Sequence, residues 1–224
     1  MSHPLDSPAL SALRGWQSDL AVQEGGAVRF RPGYAAFAAG TPADLARLPR
    51  PEGGLLMMEA VRPDLPPHQA WRERMGVQMT LEAAPPGGTD LDVLSLGEAD
   101  AAEMKALARL TEPGPFYAHT WRLGPFIGVR REGRLIAMAG ERMRPDGFAE
   151  ISGVCTHPDH RGGGLAAGLI RLKAREILAR GETPFLHSWA DNAGALKLYE
   201  SLGFRARAAI HVMILGDPDF FAPV

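Results

Sequence analysis

A short glycine-rich stretch between a strand pattern and a helix pattern constrains this chain most. The apolar strand pattern ends near Thr156, Arg161–Gly164 follows as Arg-Gly-Gly-Gly, and residues 165–180 have the spacing of a helix. The first N–H groups of a helix lack partners and lie at the positive end of its dipole. Glycines let an anion approach them closely, and Arg161 adds a guanidinium with forked donors. The stretch therefore predicts a pyrophosphate site.

Two other phosphate-binding motifs do not match this stretch. A P-loop ends in Gly-Lys-Ser/Thr, which is absent here. Gly162, Gly164 and Ala167 give a G-x-G-x-x-A run in the wrong register, and no acidic residue closes the next strand as a dinucleotide fold requires. On the glycines alone, a merely flexible turn stays open as the alternative.

The patterns around the glycine-rich stretch predict a mixed α/β fold of the α+β type. From Leu91 onward they follow the order β-α-β-β-β-α-β-α-β, with parallel character at the strand–loop–helix unit. The turn cluster Pro85–Gly88 precedes this change in character and marks a boundary. We predict a smaller N-terminal α/β subdomain over residues 1–88, which covers or extends the sheet, and a second domain over residues 89–224.

Composition excludes several classes of protein. The 224 residues carry a net charge of -2, without the basic surplus of a nucleic-acid-binding protein. A single cysteine, Cys155, rules out an internal disulfide and a cysteine zinc cluster, and we expect no metal. No apolar run reaches the ~20 residues of a membrane span, and the first residues lack a signal-peptide pattern. We therefore expect a cytoplasmic protein without membrane or nucleic-acid partners, either a monomer or a homodimer.

A second motif lies one helix and one strand beyond the first. Residues 191–204 read Asp-Asn-Ala-Gly-Ala-Leu-Lys-Leu-Tyr-Glu-Ser-Leu-Gly-Phe. Together the motifs resemble the acyl-CoA-binding and C-terminal signatures of the GNAT acetyltransferase superfamily. The lead-in at residues 151–158 is most similar to the subfamily that contains glycine N-acyltransferase. The resemblance covers roughly residues 91–215 and implies a mostly antiparallel sheet with a splayed parallel pair at the acyl-CoA site.

The resemblance also implies a role for each matching residue. The strand end would bind the pantetheine arm of acetyl-CoA, and the glycine-rich loop would hold its pyrophosphate. Asn192 would bond near the pantetheine end, and Tyr199 would protonate the leaving thiolate. The implied cofactor-binding residues are Val154, Cys155, Thr156, Arg161, Gly162, Gly163, Gly164, Leu165, Ala166 and Asn192.

The base and the acceptor pocket have several candidates. An attacking amine must lose a proton, and Glu150, at the start of the cofactor strand, is the candidate base, with a solvated carboxylate as the alternative. His187 and His119 are further candidates for the base. His187 and Trp121 are candidate substrate-binding residues. Each of these side chains can instead have a purely structural role. Gly153 within the strand indicates a bulge that aims an N–H inward, or simple close packing.

The resulting hypothesis is an N-acyltransferase that moves an acetyl group from acetyl-CoA to a small-molecule amine or amino acid by direct attack. It would transfer groups other than aminoacyl groups. A protein N-terminal or lysine acetyltransferase is the first alternative. A non-catalytic CoA-binding or interaction module is the second.

Overall fold

The computed structural model describes residues 3–48, 54–64, 71–88 and 90–215. Over these residues an eight-stranded sheet forms the centre of the molecule, and a three-stranded sheet lies beside it. The strands are β1 (Ala21–Glu24), β2 (Ala27–Phe30), β3 (Ala38–Ala39), β4 (Leu55–Glu59), β5 (Trp71–Thr80), β6 (Leu94–Leu96), β7 (Phe126–Arg131), β8 (Arg134–Glu141), β9 (Phe148–Thr156), β10 (Thr183–Trp189) and β11 (Arg205–Leu215).

Helices cover both faces of the large sheet. Their bounds are α1 (Pro8–Arg14), α2 (Pro42–Leu45), α3 (Ala101–Thr111), α4 (Leu165–Ala179) and α5 (Ala193–Ser201). α4 buries an apolar stripe that includes Leu169, Ile170 and Ile177. Ile170 joins a core cluster with Ala149 and Leu186, so α4 packs on that face of the sheet.

The opposite face of the sheet is covered by the N-terminal part of the chain. Because neighbouring residues of a strand point to opposite faces, Phe148 and Phe185 point away from α4. They pack instead with Leu5 and the apolar side of α1 in a separate cluster. The N-terminal residues therefore cover the middle of the large sheet with packed side chains.

The large sheet has the order β4-β11-β5-β10-β9-β8-β7-β6, and β9 with β10 is its one parallel pair in the part of the chain that the structure describes. This pair is bonded only at the start, through Thr183–Phe148, Pro184–Ala149 and Phe185–Glu150. Beyond Glu150 the two strands separate, while β10 stays paired with β5 along its other edge. The predicted fold class, a mostly antiparallel mixed sheet with one splayed parallel pair, is confirmed.

Gly153 produces the predicted irregularity in β9. Its φ of 63° lies in the left-handed region that favours glycine, and the register with β8 shifts between Met138 and Gly140. Two residues of β9 therefore face one residue of β8, which is a β-bulge. Glycine is also favoured at this position because the backbone lies close to the Phe126 ring. A Cβ on residue 153 would be only 3.0 Å from that ring.

The predicted order of elements from Leu91 to the last strand is confirmed, although the first strand is shorter and covers only Leu94–Leu96. The helix α1 and the strands β1 and β3 were not predicted. The division at residue 88 stays a prediction. Strands β4 and β5 extend the large sheet from the N-terminal side of that boundary, and Arg171 of α4 donates to the Pro86 carbonyl at 2.8 Å.

Candidate active site

An open cradle of backbone amides precedes α4. The N–H groups of residues 162–167 make no hydrogen bond within the described residues; the first bonded helical amide is Gly168, to the Gly164 carbonyl. A Cβ at Gly162 or Gly164 would meet no atom within 4 Å, so nothing fills the cradle. Gly162 and Gly164 have φ of 82° and 76°, which favours glycine at both positions. The cradle can hold a phosphate or pyrophosphate group.

Arg161 lies exposed at the edge of this cradle. Its Nε donates to the Thr156 carbonyl at 3.3 Å, which anchors the side chain next to the end of β9. Its terminal nitrogens have no acceptor among the described residues. The guanidinium can therefore add charge-assisted hydrogen bonds to an anion held by the amides.

The edge of β9 that faces β10 is open beyond Glu150. Here β9 keeps its partner β8, through Thr156–Ala137 and Cys155–Met138, but no described residue pairs with it on the other side. An extended ligand can bond to such an edge as an added strand. The hydroxyl of Thr156 is buried without a hydrogen-bond partner in the described structure, which is unusual for a buried polar group.

Helix α5 places Tyr199 and Asn192 beside the same strands. Tyr199 packs in the cluster of Ile151 and Leu186 and contacts the Phe204 ring edge-on, with 6.2 Å between centroids. Burial raises the pKa of its hydroxyl, which keeps the proton on the oxygen near neutral pH. Asn192 caps the helix, because its side-chain oxygen accepts from the Ala195 N–H at 3.1 Å.

Glu150 is fully buried on the face of the sheet that the N-terminal residues cover. Arg142 binds it in a fork: Nε donates to Oε2 at 2.9 Å, and Nη2 donates to Oε1 at 2.5 Å. Desolvation raises the pKa of the Glu150 carboxyl, but Arg142 and His187 outweigh it and lower the pKa to about 2. Glu150 is therefore a carboxylate at all ordinary pH values.

His187 lies next to Glu150 on the neighbouring strand. Its Nδ1 is 2.7 Å from Oε1 of Glu150, and its Nε2 is 3.0 Å from the side-chain nitrogen of Gln78 on β5. Glu150 and His187 thus form a carboxylate–imidazole pair where β9 and β10 begin to separate. Such pairs orient the imidazole in enzymes that use it as a base.

Three other residues named from the sequence lie away from this pair. Trp121 packs with Phe116 and Cys155 in the cluster around α3. Cys155 is buried, and desolvation raises the pKa of its thiol to about 11, so it is a poor nucleophile. His119 is exposed, and its backbone N–H donates to the Gly33 carbonyl at 2.7 Å.

The sequence reasoning missed Arg142 and Gln78, which contact the pair, and Arg207, which contacts Gln78. Arg142 had a detectable signal, because the turn at Arg144–Gly147 folds β8 back on β9 and brings position 142 opposite position 150. The backbone confirms this, since the Arg142 N–H donates to the Glu150 carbonyl at 3.1 Å. Gln78 and Arg207 gave no signal, since they come from distant strands.

Comparison with known proteins gives consistent results. Residues 126–212 match the family of FR47-like proteins. A mycothiol acetyltransferase of Streptomyces avermitilis is 30% identical over 167 residues, which are 72% of this chain and 50% of the relative. A mycothiol acetyltransferase of Thermomonospora curvata is 37% identical over 92 residues, 40% of this chain and 30% of the relative. The chain thus spans half or less of the length of these curated relatives.

Solved structures extend the comparison to the whole chain. A protein from Novosphingobium aromaticivorans, described as belonging to the GNAT family of acetyltransferases, is 46% identical with a TM-score of 0.87. The match covers 96% of this chain and 99% of that one. A GCN5-related N-acetyltransferase from Kribbella flavida has a TM-score of 0.60 at 18% identity, over 94% of this chain and 96% of that one, which shows a shared fold.

The splayed parallel pair and the amide cradle at the start of α4 define a mixed α+β protein with an open strand edge beside a group of unbonded amides. The near-complete match at 46% identity specifies the class further. The chain belongs to the GNAT family of acetyltransferases. The family to which the two sequence motifs are similar is thereby confirmed.

Two kinds of feature are absent from the described residues. No helix there is long and apolar enough to cross a bilayer. No group of three or more histidine, cysteine, aspartate or glutamate side chains in that part of the chain is arranged to hold a metal ion.

Proposed function

We propose that the chain transfers an acetyl group from acetyl-CoA to a primary amine on a small molecule or amino acid. One observation carries this proposal: the unpaired amides of residues 162–167 lie next to the open edge of β9. The small-molecule acceptor is supported by the two relatives named mycothiol acetyltransferase. Within the family, we place the chain near the glycine N-acyltransferase group, on the lead-in at residues 151–158.

The residues around the cradle fit acetyl-CoA. The amides and Arg161 would hold the pyrophosphate, the open edge at residues 154–156 would bond to the pantetheine arm, and the unpartnered Thr156 hydroxyl offers one more hydrogen bond. The amide nitrogen of Asn192 is available near the far end of β10, since only its oxygen caps α5. Acetyl-CoA would supply the acetyl group as a thioester.

Tyr199 is proposed as the acid that gives a proton to the departing thiolate. The raised pKa of its hydroxyl keeps the proton on the oxygen before the reaction, so Tyr199 has a proton to give. Helix α5 fixes the ring against Phe204, so the hydroxyl has a defined position.

The Glu150–His187 pair is proposed as the proton acceptor for the amine. Glu150 is ionised, as a base must be, but a pKa of about 2 makes it weak by itself. The carboxylate can act through a bridging water, because His187 holds its Oε1 in place across a 2.7 Å contact from Nδ1.

Turnover of acetyl-CoA against a panel of amines tests the proposal. The panel contains free amino acids, amino sugars, a lysine peptide and a peptide with a free N-terminus. We expect acetylation of a small amine and a loss of ~100-fold in kcat for Tyr199→Phe, with KM for acetyl-CoA unchanged. Unchanged turnover would remove Tyr199 as the acid.

The same panel separates the alternatives. Acetylation of the peptides alone would favour a protein acetyltransferase. Calorimetric binding of acetyl-CoA without turnover of any amine would favour a non-catalytic CoA-binding module. No binding of acetyl-CoA at all would overturn the proposal.

A further inference from the structure

Arg142 is held firmly at the point where β9 and β10 begin to separate. Its backbone N–H donates to the Glu150 carbonyl at 3.1 Å, and its own carbonyl accepts from the side-chain nitrogen of Gln17 at 2.7 Å. Its guanidinium lies over the buried Phe37 ring, 4.4 Å from the ring centroid. These contacts fix the backbone and cover one face of the guanidinium, so the orientation of the side chain is defined.

Glu150 uses one edge of the Arg142 guanidinium and leaves another edge free. A guanidinium has five N–H donors, and two adjacent donors on one edge can grip a carboxylate as a fork. The edge formed by Nε and Nη2 binds Glu150. The next edge, formed by Nη1 and the second hydrogen of Nη2, donates to no group in the part of the chain that the structure describes. A second fork of the same shape is therefore open.

The open edge of Arg142 is accessible from outside. Nε of Arg29 and Oγ1 of Thr156 are the only buried side-chain atoms without a partner in the described structure, so the unbonded Nη1 of Arg142 is not buried. The Arg142 side chain is 15% exposed, whereas the Glu150 side chain is 1% exposed. A dissolved anion can therefore reach Arg142 but cannot reach the carboxylate behind it.

The charges at this place match a ligand that carries one charge of each sign. Glu150 offsets the charge of Arg142. The His187 ring carries a single proton and no charge, because its Nε2 accepts from the amide nitrogen of Gln78 and its Nδ1 donates to Glu150. A zwitterion keeps the site balanced, whereas a simple ammonium or a simple carboxylate would leave one unpaired charge in a partly buried place.

We propose that the open edge of Arg142 binds the carboxylate of the acceptor, so that the acceptor is an amine that also carries a carboxylate. This inference rests on the proposed function and narrows its acceptor to one chemical class. Because a guanidinium is compact and planar, the bound carboxylate would lie close to Glu150. The amine attached to it would then lie where β9 and β10 separate, at the far end of the proposed pantetheine site. Arg142 does not contact the amide cradle, so acetyl-CoA binding should not depend on it.

Matched pairs of acceptors test this inference on the wild-type protein. L-alanine, L-serine and L-phenylalanine are each compared with the corresponding amino-acid amide. We expect kcat/KM to be about 10- to 100-fold higher for the acid, which is the usual worth of hydrogen bonds to a charged group. The amide has the more easily deprotonated amine, because no carboxylate stabilises its ammonium form, so the amine itself cannot cause this preference.

Arg142→Lys tests whether this side chain causes the preference. Lysine keeps a cation beside Glu150, so the fold should persist, but its ammonium lacks the second fork. We expect the preference for the acid over the amide to fall about tenfold, with KM for acetyl-CoA unchanged. Arg109→Lys, at an exposed position on α3, should leave the preference unchanged. Denaturant unfolding checks that both variants fold.

Three results would overturn the inference or separate it from the proposed function. Amides or amino sugars accepted as well as the acids would overturn it, and so would a preference that survives in Arg142→Lys. If that variant does not fold, competition in the wild type decides: N,N-dimethylglycine, a zwitterion that cannot be acetylated, should compete with the acceptor, and equal competition by its amide would refute the carboxylate site. A wild-type protein that acetylates no amine would sink the proposed function. Calorimetry on the CoA-bound protein would then decide the site, because the acids should still bind about tenfold more tightly than the amides, and equal binding or none would overturn it.

Discussion

Glu59 offers a quantitative test of how the N-terminal residues are held on the sheet. It lies at the end of β4, and its Oε1 accepts a hydrogen bond from the Ser7 hydroxyl at 2.8 Å. Burial raises the pKa of its carboxyl, the Ser7 hydrogen bond opposes this, and the charge of Asp6 adds to it, giving a pKa of about 7. The perturbation is Glu59→Gln, which keeps the shape and removes the titration.

The size and sign of the effect follow from proton linkage. The pKa rises from an ordinary 4.5 to about 7 on folding, and each unit is worth 1.36 kcal/mol, so the full effect is about 3 kcal/mol. Because the folded pKa is the higher one, folding takes up a proton. The contribution is complete below pH ~4.5 and is lost as the pH rises through about 7.

Denaturant unfolding at several pH values between about 5 and 8 measures this effect. The free energy of unfolding of the wild type, minus that of Glu59→Gln, should fall by about 2–3 kcal/mol across this range. Glu24→Gln changes an exposed glutamate and serves as the control, with no such slope. A difference between wild type and Glu59→Gln that does not change with pH would refute the reasoning.

Two further predictions concern the cradle and the core. Gly162→Ala and Gly164→Ala should each cost ~1–2 kcal/mol in thermal unfolding, because both positions have positive φ, and each should weaken acetyl-CoA binding in calorimetry. Gly163→Ala has ordinary φ, so it should weaken binding while leaving stability unchanged; equal stability losses at all three would contradict this. Lys173 is fully buried and donates to Glu141 at 2.8 Å, so Lys173→Ala should cost ~3–5 kcal/mol in denaturant unfolding by leaving that carboxylate underpaired. A loss below ~1 kcal/mol would show that Arg180, which also binds Glu141, is sufficient.

The fold from Leu91 onward was predictable because its signals are local. Apolar spacing indicates α4, Gly181 follows its end, and the turn at Arg144–Gly147 sets β8 against β9. The cradle is equally local, since one stretch supplies every amide. A single glycine within a strand indicated either the bulge at Gly153 or close packing there, and the structure has both.

The partner of each distant strand was not predictable. The alternation of Val77, Met79 and Leu81 indicates a strand, but period-2 spacing does not specify which strands lie beside it. The hydrogen bond from Arg207 to Gln78 depends on that partner choice, since the two residues are 129 positions apart in the sequence. Packing of the whole sheet, rather than any motif, brings these side chains together.

The central position of β5 has a consequence for the protein during its synthesis. Both neighbours of β5, the strands β10 and β11, are translated after it. Neither edge of this ten-residue strand therefore has a partner strand while the rest of the chain is being made. Bare edges invite pairing with other nascent chains. The exposed charges of Arg72, Glu73 and Arg74 along that strand would discourage such contacts until the last strand emerges.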